Sequence, residues 1–234
     1  SSAPPTYDLE EALRRKIPNA TSTDLDHQME AAKALARFAD SFYTSLGFDP
    51  LPETFYERSQ FIRPRDREVD CHAKAPSVDF DLDLRIKMCM HIDADSFYTV
   101  LHEVGHLEYQ RAYRELPFLF REGANDGFHE AIGDLVSLSI TPEHLKQLHL
   151  IDTIPPAEAD IPGLLDKALS DLAFLPFSLL IDKWRWEVFS GRTKPEDYNK
   201  SWWALRSQYQ GVAPPVTRTE ADFDPGAKYH IPAN

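Results

Sequence analysis

The chain has 234 residues, of which 42% are apolar and 27% charged, and it carries a formal net charge of −13. That length allows one large domain or two small ones with a hydrophobic core. The acidic balance excludes a nucleic-acid binder, which needs a basic patch, and an affinity for anionic membrane surfaces, whereas a negative cleft suits a cation.

The chain opens Ser1-Ser2-Ala3-Pro4-Pro5, with no apolar leader, and reads as a mature or cut end. No run of 18 apolar residues follows, so no transmembrane span is expected. Residues 7–16 predict a short helix that stops before Pro18. From Asp24 a longer helix is expected, because Leu25, Met29, Ala32, Leu35, Phe38, Phe42 and Leu46 recur at spacings of three and four. Gly47 suits its C-terminal end. Residues 48–68, proline-marked and charged, read as a connector.

Around residues 69–72 and 84–89 polarity alternates, which predicts a pair of strands joined by an acidic loop. The fold class is therefore mainly α with a small two-stranded β element. Cys71 and Cys89 lie in these two stretches. They are either buried free thiols or a disulfide closing a short loop, worth about 3 kcal/mol by loop entropy. Asn19 and Asn199 open Asn-x-Ser/Thr sequons and are candidate glycosylation sites, mild support for a secretory route.

Asp93 is placed to cap the next helix, with Asp95 and Ser96 in its first turn. Phe97, Val100, Leu101, Val104 and Leu107 give it an apolar face. On it stands His102-Glu103-Val104-Gly105-His106, the His-Glu-x-x-His pattern of zinc peptidases. Residues four apart share a helix face, so the two imidazoles can reach one ion while Glu103 projects towards the water. Neutral imidazole suits Zn²⁺, and a catalytic site takes three protein ligands and leaves a position for water. Glu130, 24 residues past His106, is the candidate third ligand. Asp134, one turn later, is placed to accept an N–H from a ligand imidazole, which fixes the tautomer.

Gly123-Ala124-Asn125 breaks the chain before the Glu130 helix, which is expected to run to about Ile140. Thr141-Pro142-Glu143 opens another helix. Residues 152–162 read as a Pro-rich loop, followed by two or more helices near 163–175 and 176–190 and a last one near 194–209. Phe174, Phe177, Trp184, Trp186 and Phe189 read as core. The tail from Gly211 is loop, and no linker splits the chain into domains.

The stretch from Arg121 to Asp134, Cys71-His72-Ala73, the zinc motif and the tail from Asp222 to Pro232 together resemble the angiotensin-converting enzyme, or peptidyl-dipeptidase A, family. The resemblance runs from about residue 30 to the end. It implies a helical zinc-peptidase fold around a deep cleft, of which this chain is a central-to-C-terminal part, since family enzymes are more than twice as long. It implies zinc bound by His102, His106 and Glu130, with Glu103 as general base and then acid, and a disulfide between Cys71 and Cys89. His230 and His72 would hydrogen-bond substrate carbonyls, the backbone at Ala73 would pair with the peptide, and Lys228 would hold the substrate's C-terminal carboxylate. Trp202 and Arg206 match part of a chloride site. The implied activity is release of C-terminal dipeptides from short peptides outside the cell or in a secreted form. Without the family match, Lys228 reads as a solvated lysine, His72 as a strand histidine, Trp202 as core and Arg206 as a surface ion-pair partner. The family's tyrosines and second-chloride arginine lie in segments outside this stretch. Glu108 and Asp126 stand where relatives carry Gln and Pro. A zinc-containing module that captures peptides or partners without turnover is the rival reading. An incomplete cleft would expose apolar surface and invite oligomers or partners.

Overall fold

A computed structural model describes residues 7–78, 83–228 and 231, the side chains of Asp126 and Asp166 excepted. Eight α-helices form among the described residues: α1 Leu9–Lys16, α2 Leu25–Ser45, α3 Glu53–Arg58, α4 Ala94–Tyr113, α5 Asp126–Leu138, α6 Pro142–Gln147, α7 Asp160–Phe189 and α8 Tyr198–Gln210. They belong to two compact units that divide at Pro155 and Pro156, inside the Pro-rich loop.

In the first unit α4 is the central helix, and α1, α2 and α5 pack on it. Its apolar stripe is fully buried, with Phe97, Val100, Leu101, Val104 and Leu107 all inaccessible. The Asp93 carboxylate accepts from the Ser96 N–H at 2.7 Å and so satisfies one of the unpaired donors at the helix start. α2 is capped in the same way by Asp24 and buries Ala32, Leu35, Ala36, Ala39 and Phe42, while Leu46 is left exposed past the last turn. Tyr43, on the same face, donates to the Leu101 carbonyl at 2.9 Å and ties α2 to the turn that carries His102.

Two sequence expectations need correction here. The stretch 48–68 is more than a connector: it holds α3, and Phe55 and Phe61 are among the most buried side chains of the core. Pro50, Pro52 and the charges hid it, because a six-residue helix needs only two or three anchors and owes its stability to packing rather than to propensity. The predicted strand pair is reduced to isolated bridges, and no strand forms among the described residues. Lys87 exchanges backbone bonds with Lys74, while the neighbouring Ile86 carbonyl and Met88 N–H bond to Gln60 on the other side. The period-two pattern itself holds, since Leu84, Ile86, Met88, Met90 and Ile92 are all buried. The Lys74–Lys87 and Ser77–Leu84 bridges share one antiparallel register but stay isolated, short of a ladder. Cys71 and Cys89 form a disulfide that joins the ends of this unit, with Cα atoms 5.2 Å apart.

In the second unit α7 is one 30-residue helix with Pro176 inside it, where two helices were expected. A proline removes one N–H and crowds the preceding turn, but it bends a long helix as readily as it ends one. α8 packs on α7 around Leu180, Trp184, Trp202, Leu205 and Ile231. Of the aromatics read as core, Trp184 is buried and Phe177 packs beside it, but Phe174, Trp186 and Phe189 are exposed. The Asn199 sequon is also corrected. Asn199 is 1% exposed, its Nδ2 donates to the Asp224 carboxylate at 3.1 Å and the Thr219 carbonyl at 3.4 Å, and its Oδ1 accepts from the Asp224 N–H. A glycan has no room there in the folded chain. Asn19, in contrast, is exposed in a turn after α1, with a left-handed φ of 61°.

No helix among the described residues is long and apolar enough to cross a membrane.

Candidate metal centre

His102 and His106 stand one turn apart on α4, with ring centroids 4.7 Å apart and nearly perpendicular planes. α5 crosses α4 beside them. Asn125 caps α5 by accepting from the Gly127 N–H at 2.9 Å, which fixes where the helix begins and so the turn on which Glu130 falls. Glu130 Oε2 lies 3.2 Å from His102 Nε2, and its Oε1 lies 3.7 Å from His106 Nε2. One donor atom from each of the three residues falls within 4.8 Å of the others, a group that could hold a metal ion. Asp134 Oδ1 sits 3.2 Å from His102 Nδ1, on the far side of that ring from Glu130.

Two glycines let the helices come this close. A Cβ on Gly105 would meet the Tyr43 hydroxyl at 2.7 Å and the Gly133 Cα at 3.2 Å. A Cβ on Gly133 would run into the His102 ring at 2.6–2.8 Å. Ser137 adds a cross-link, its hydroxyl donating to the Tyr98 carbonyl of α4 at 3.4 Å.

Burial sets the protonation of the site. Glu103 is 5% exposed, and its Oε2 has no hydrogen-bond partner among the described residues. Desolvation pushes its carboxyl up to about 7, partly offset by His102. Burial pushes the His106 imidazole down to about 4, so it is neutral and ready to donate a lone pair. His102 moves the other way, raised chiefly by its hydrogen bond to Glu130. The donor set suits a divalent ion of intermediate softness: two imidazoles and a carboxylate, with a buried, unpartnered carboxyl beside them.

Several side chains around this group were not singled out by sequence. Tyr109, Tyr113 and His129 form an aromatic cluster against His106. A signal for them existed, because residues 102, 106, 109 and 113 make one 4-3-4 stripe down α4. Glu108 is buried and accepts from Arg111 at 2.8 Å, which explains how a carboxylate is tolerated on this helix.

His72 is exposed, with its N–H donating to Asp70 Oδ1 at 3.0 Å, and Ala73 packs at the edge of the core beside the Lys74–Lys87 bridge. The remaining site candidates are in the second unit. Trp202 is buried, edge-on to Phe177 and Trp184. The Arg206 guanidinium lies over Phe177 at 5.1 Å and near Trp203 at 5.8 Å, and its buried Nε has no hydrogen-bond partner among the described residues. Lys228 Nζ stands 5.9 Å from the Phe177 ring. His230 lies outside the described residues.

Two histidines one turn apart on a helix, a glutamate between them and a carboxylate from the next helix make a mainly helical chain with a His-Glu-x-x-His group that could hold a metal ion. The profile of the family described as angiotensin-converting enzyme matches residues 6–234, and the chain belongs to that family. It is 46% identical over 225 residues to angiotensin-converting enzyme of Rattus norvegicus, covering 93% of this chain and 17% of the relative. It is 49% identical over 199 residues to that of Bos taurus, covering 84% and 15%. Against the protein of the same name from Theromyzon tessulatum it is 44% identical over 230 residues, covering 96% and 37%. The chain thus spans 15–37% of the length of these relatives.

Proposed function

We propose that the chain carries the zinc centre of a peptidyl-dipeptidase, which hydrolyses short peptides to release C-terminal dipeptides. The observation that carries this reading is the convergence of His102, His106 and Glu130 beside the unpartnered carboxyl of Glu103. His102, His106 and Glu130 would hold the ion, and Asp134 would steady the His102 ring. Zinc, when bound there, supplies Lewis acidity toward a carbonyl oxygen and toward water. Glu103 takes the proton of the attacking water at Oε2 and returns it to the leaving amine. His230 and His72 would brace substrate carbonyls, and the backbone at Ala73 would pair with the peptide. Lys228 would grip the terminal carboxylate and so count two residues from the end.

The Cys71–Cys89 disulfide and the exposed Asn19 sequon fit a secretory or extracellular setting. Chloride is part of the reading at Trp202 and Arg206, where the unpartnered Arg206 Nε suits an anion. The rival, peptide or partner capture without turnover, is favoured by one observation. The Glu130 side chain is 71% exposed, so the site is open to water on the α5 side.

The test is hydrolysis of a short peptide with a free C-terminus by zinc-loaded protein, with products read by mass. A C-terminal dipeptide, lost on chelation, restored by zinc and abolished by Glu103→Gln, supports the proposal. Stoichiometric zinc without cleavage favours the rival.

A further inference from the structure

The stripe that carries His102 and His106 continues past them. Tyr109 and Tyr113 follow on the same face of α4, and both use their hydroxyls on the segment that leads into Glu130. Tyr109 accepts from the Ala124 N–H at 3.1 Å, in the loop just before α5. The Tyr113 hydroxyl and His129 Nε2 are hydrogen-bonded at 3.1 Å, and His129 is the residue preceding Glu130. The His129 ring is held between Tyr109, with centroids 4.7 Å apart, and His106, at 5.5 Å. Gly123 closes the cluster, since a Cβ there would stand 3.0 Å from His129 Cδ2 and 3.6 Å from Tyr109 Cε1.

The first half of the stripe offers metal donors and the second half grips the helix that brings the third. The Glu130 side chain is mostly exposed, so where its carboxylate stands follows from where α5 lies on α4. On the footing that His102, His106 and Glu130 hold a metal ion, we infer that Tyr109 and Tyr113 are positioning residues. They set where α5 starts along α4, and hence where the Glu130 carboxylate stands relative to the two imidazoles. The two hydroxyls are bonded to the Ala124 N–H and the His129 ring rather than to the donor atoms. The hydroxyls act through His129 and the Ala124 backbone, so removing one while keeping its ring should loosen the third donor and leave the histidine pair intact.

The experiment is a zinc competition titration against a chromophoric chelator, with Co²⁺ absorption and thermal melts of the metal-free protein alongside. Wild type, Tyr113→Phe and Tyr109→Phe are compared, with His106→Ala as the ligand control. Tyr113→Phe is expected to weaken zinc about tenfold, the range for partners that orient ligands, and to shift the Co²⁺ spectrum, while the metal-free melting temperature stays within a few degrees. Tyr109→Phe is expected to weaken zinc less. Unchanged affinity and spectrum in both variants, with wild type binding one zinc and His106→Ala losing it, overturns the positioning role and leaves the metal site standing. A wild type that binds no zinc overturns both. If Tyr113→Phe does not fold, His129→Gln and His129→Leu decide the question. Gln keeps a hydrogen-bonding group for the Tyr113 hydroxyl and should hold affinity within about threefold, Leu should lose about tenfold, and equal affinities overturn the inference.

Discussion

Replacing Gly133 with Ala tests how tightly the two helices hold the site. The added Cβ would stand 2.6 Å from His102 Nδ1, 2.7 Å from Cε1 and 2.8 Å from Cγ. Comfortable contact for such atoms is about 3.5–4.0 Å, so the ring or the helix must retreat by roughly 1 Å. The fold can bear this. Overpacking costs about 1–3 kcal/mol, and exchanging Gly for Ala inside a helix returns about 1 kcal/mol, so the net loss of stability should be about 2 kcal/mol or less. The metal site cannot bear it as well. His102 is held between Glu130 and Asp134 at 3.2 Å on either side, and a displacement of about 1 Å breaks at least one of those contacts. Zinc affinity is therefore expected to fall about 10–100-fold in a protein that still melts cooperatively. Chelator competition and a thermal melt of the metal-free form measure the two quantities. An affinity within twofold of wild type would refute the reasoning, because it would mean that the His102 ring is not pinned where it stands.

Other outcomes follow from the same structure. The raised Glu103 carboxyl means that the metal-free folded chain binds a proton more tightly than the unfolded one. The contribution of Glu103 to stability is fully present below the ordinary carboxylate range and is lost as pH rises from about 4.5 to about 7. The shift corresponds to about 3 kcal/mol, so in urea melts Glu103→Gln should gain stability relative to wild type as pH rises across that window; parallel curves would remove Glu103 as the cause. Opening the Cys71–Cys89 bridge by double Ser substitution should cost about 3 kcal/mol, read as a lower urea midpoint, and an unchanged midpoint would show that the loop is held by packing alone. Asn199→Ala leaves the Asp224 and Thr219 groups short of a partner and should cost about 2 kcal/mol, with faster amide exchange at the start of α8. Intact-mass analysis of secreted protein should find glycan at Asn19 and none at Asn199; a glycan on Asn199 would contradict its burial.

What was legible in the sequence alone was whatever depends on neighbours in the chain. The 3-4 spacing around His102 and His106 placed both imidazoles on one helix face, Asp93 and Asn125 marked where their helices start, and the alternation from Leu84 to Ile92 gave an extended segment its buried side. The stretch after Gly127 offered Glu130 as a candidate third ligand, and family likeness added the Cys71–Cys89 pairing, which no local pattern specifies. Tertiary structure decided the rest. Whether Glu130 reaches the histidines depends on two backbones closing to glycine distance at Gly105 and Gly133, which are 28 residues apart in sequence. Whether α3 forms depends on a core that receives Phe55 and Phe61, and whether Asn199 is a sequon or a structural strut depends on Asp224 and Thr219 folding back over it. Such contacts join residues distant along the chain, and their free energy appears only when packing brings them together, so no window of sequence around any one of them carries the signal.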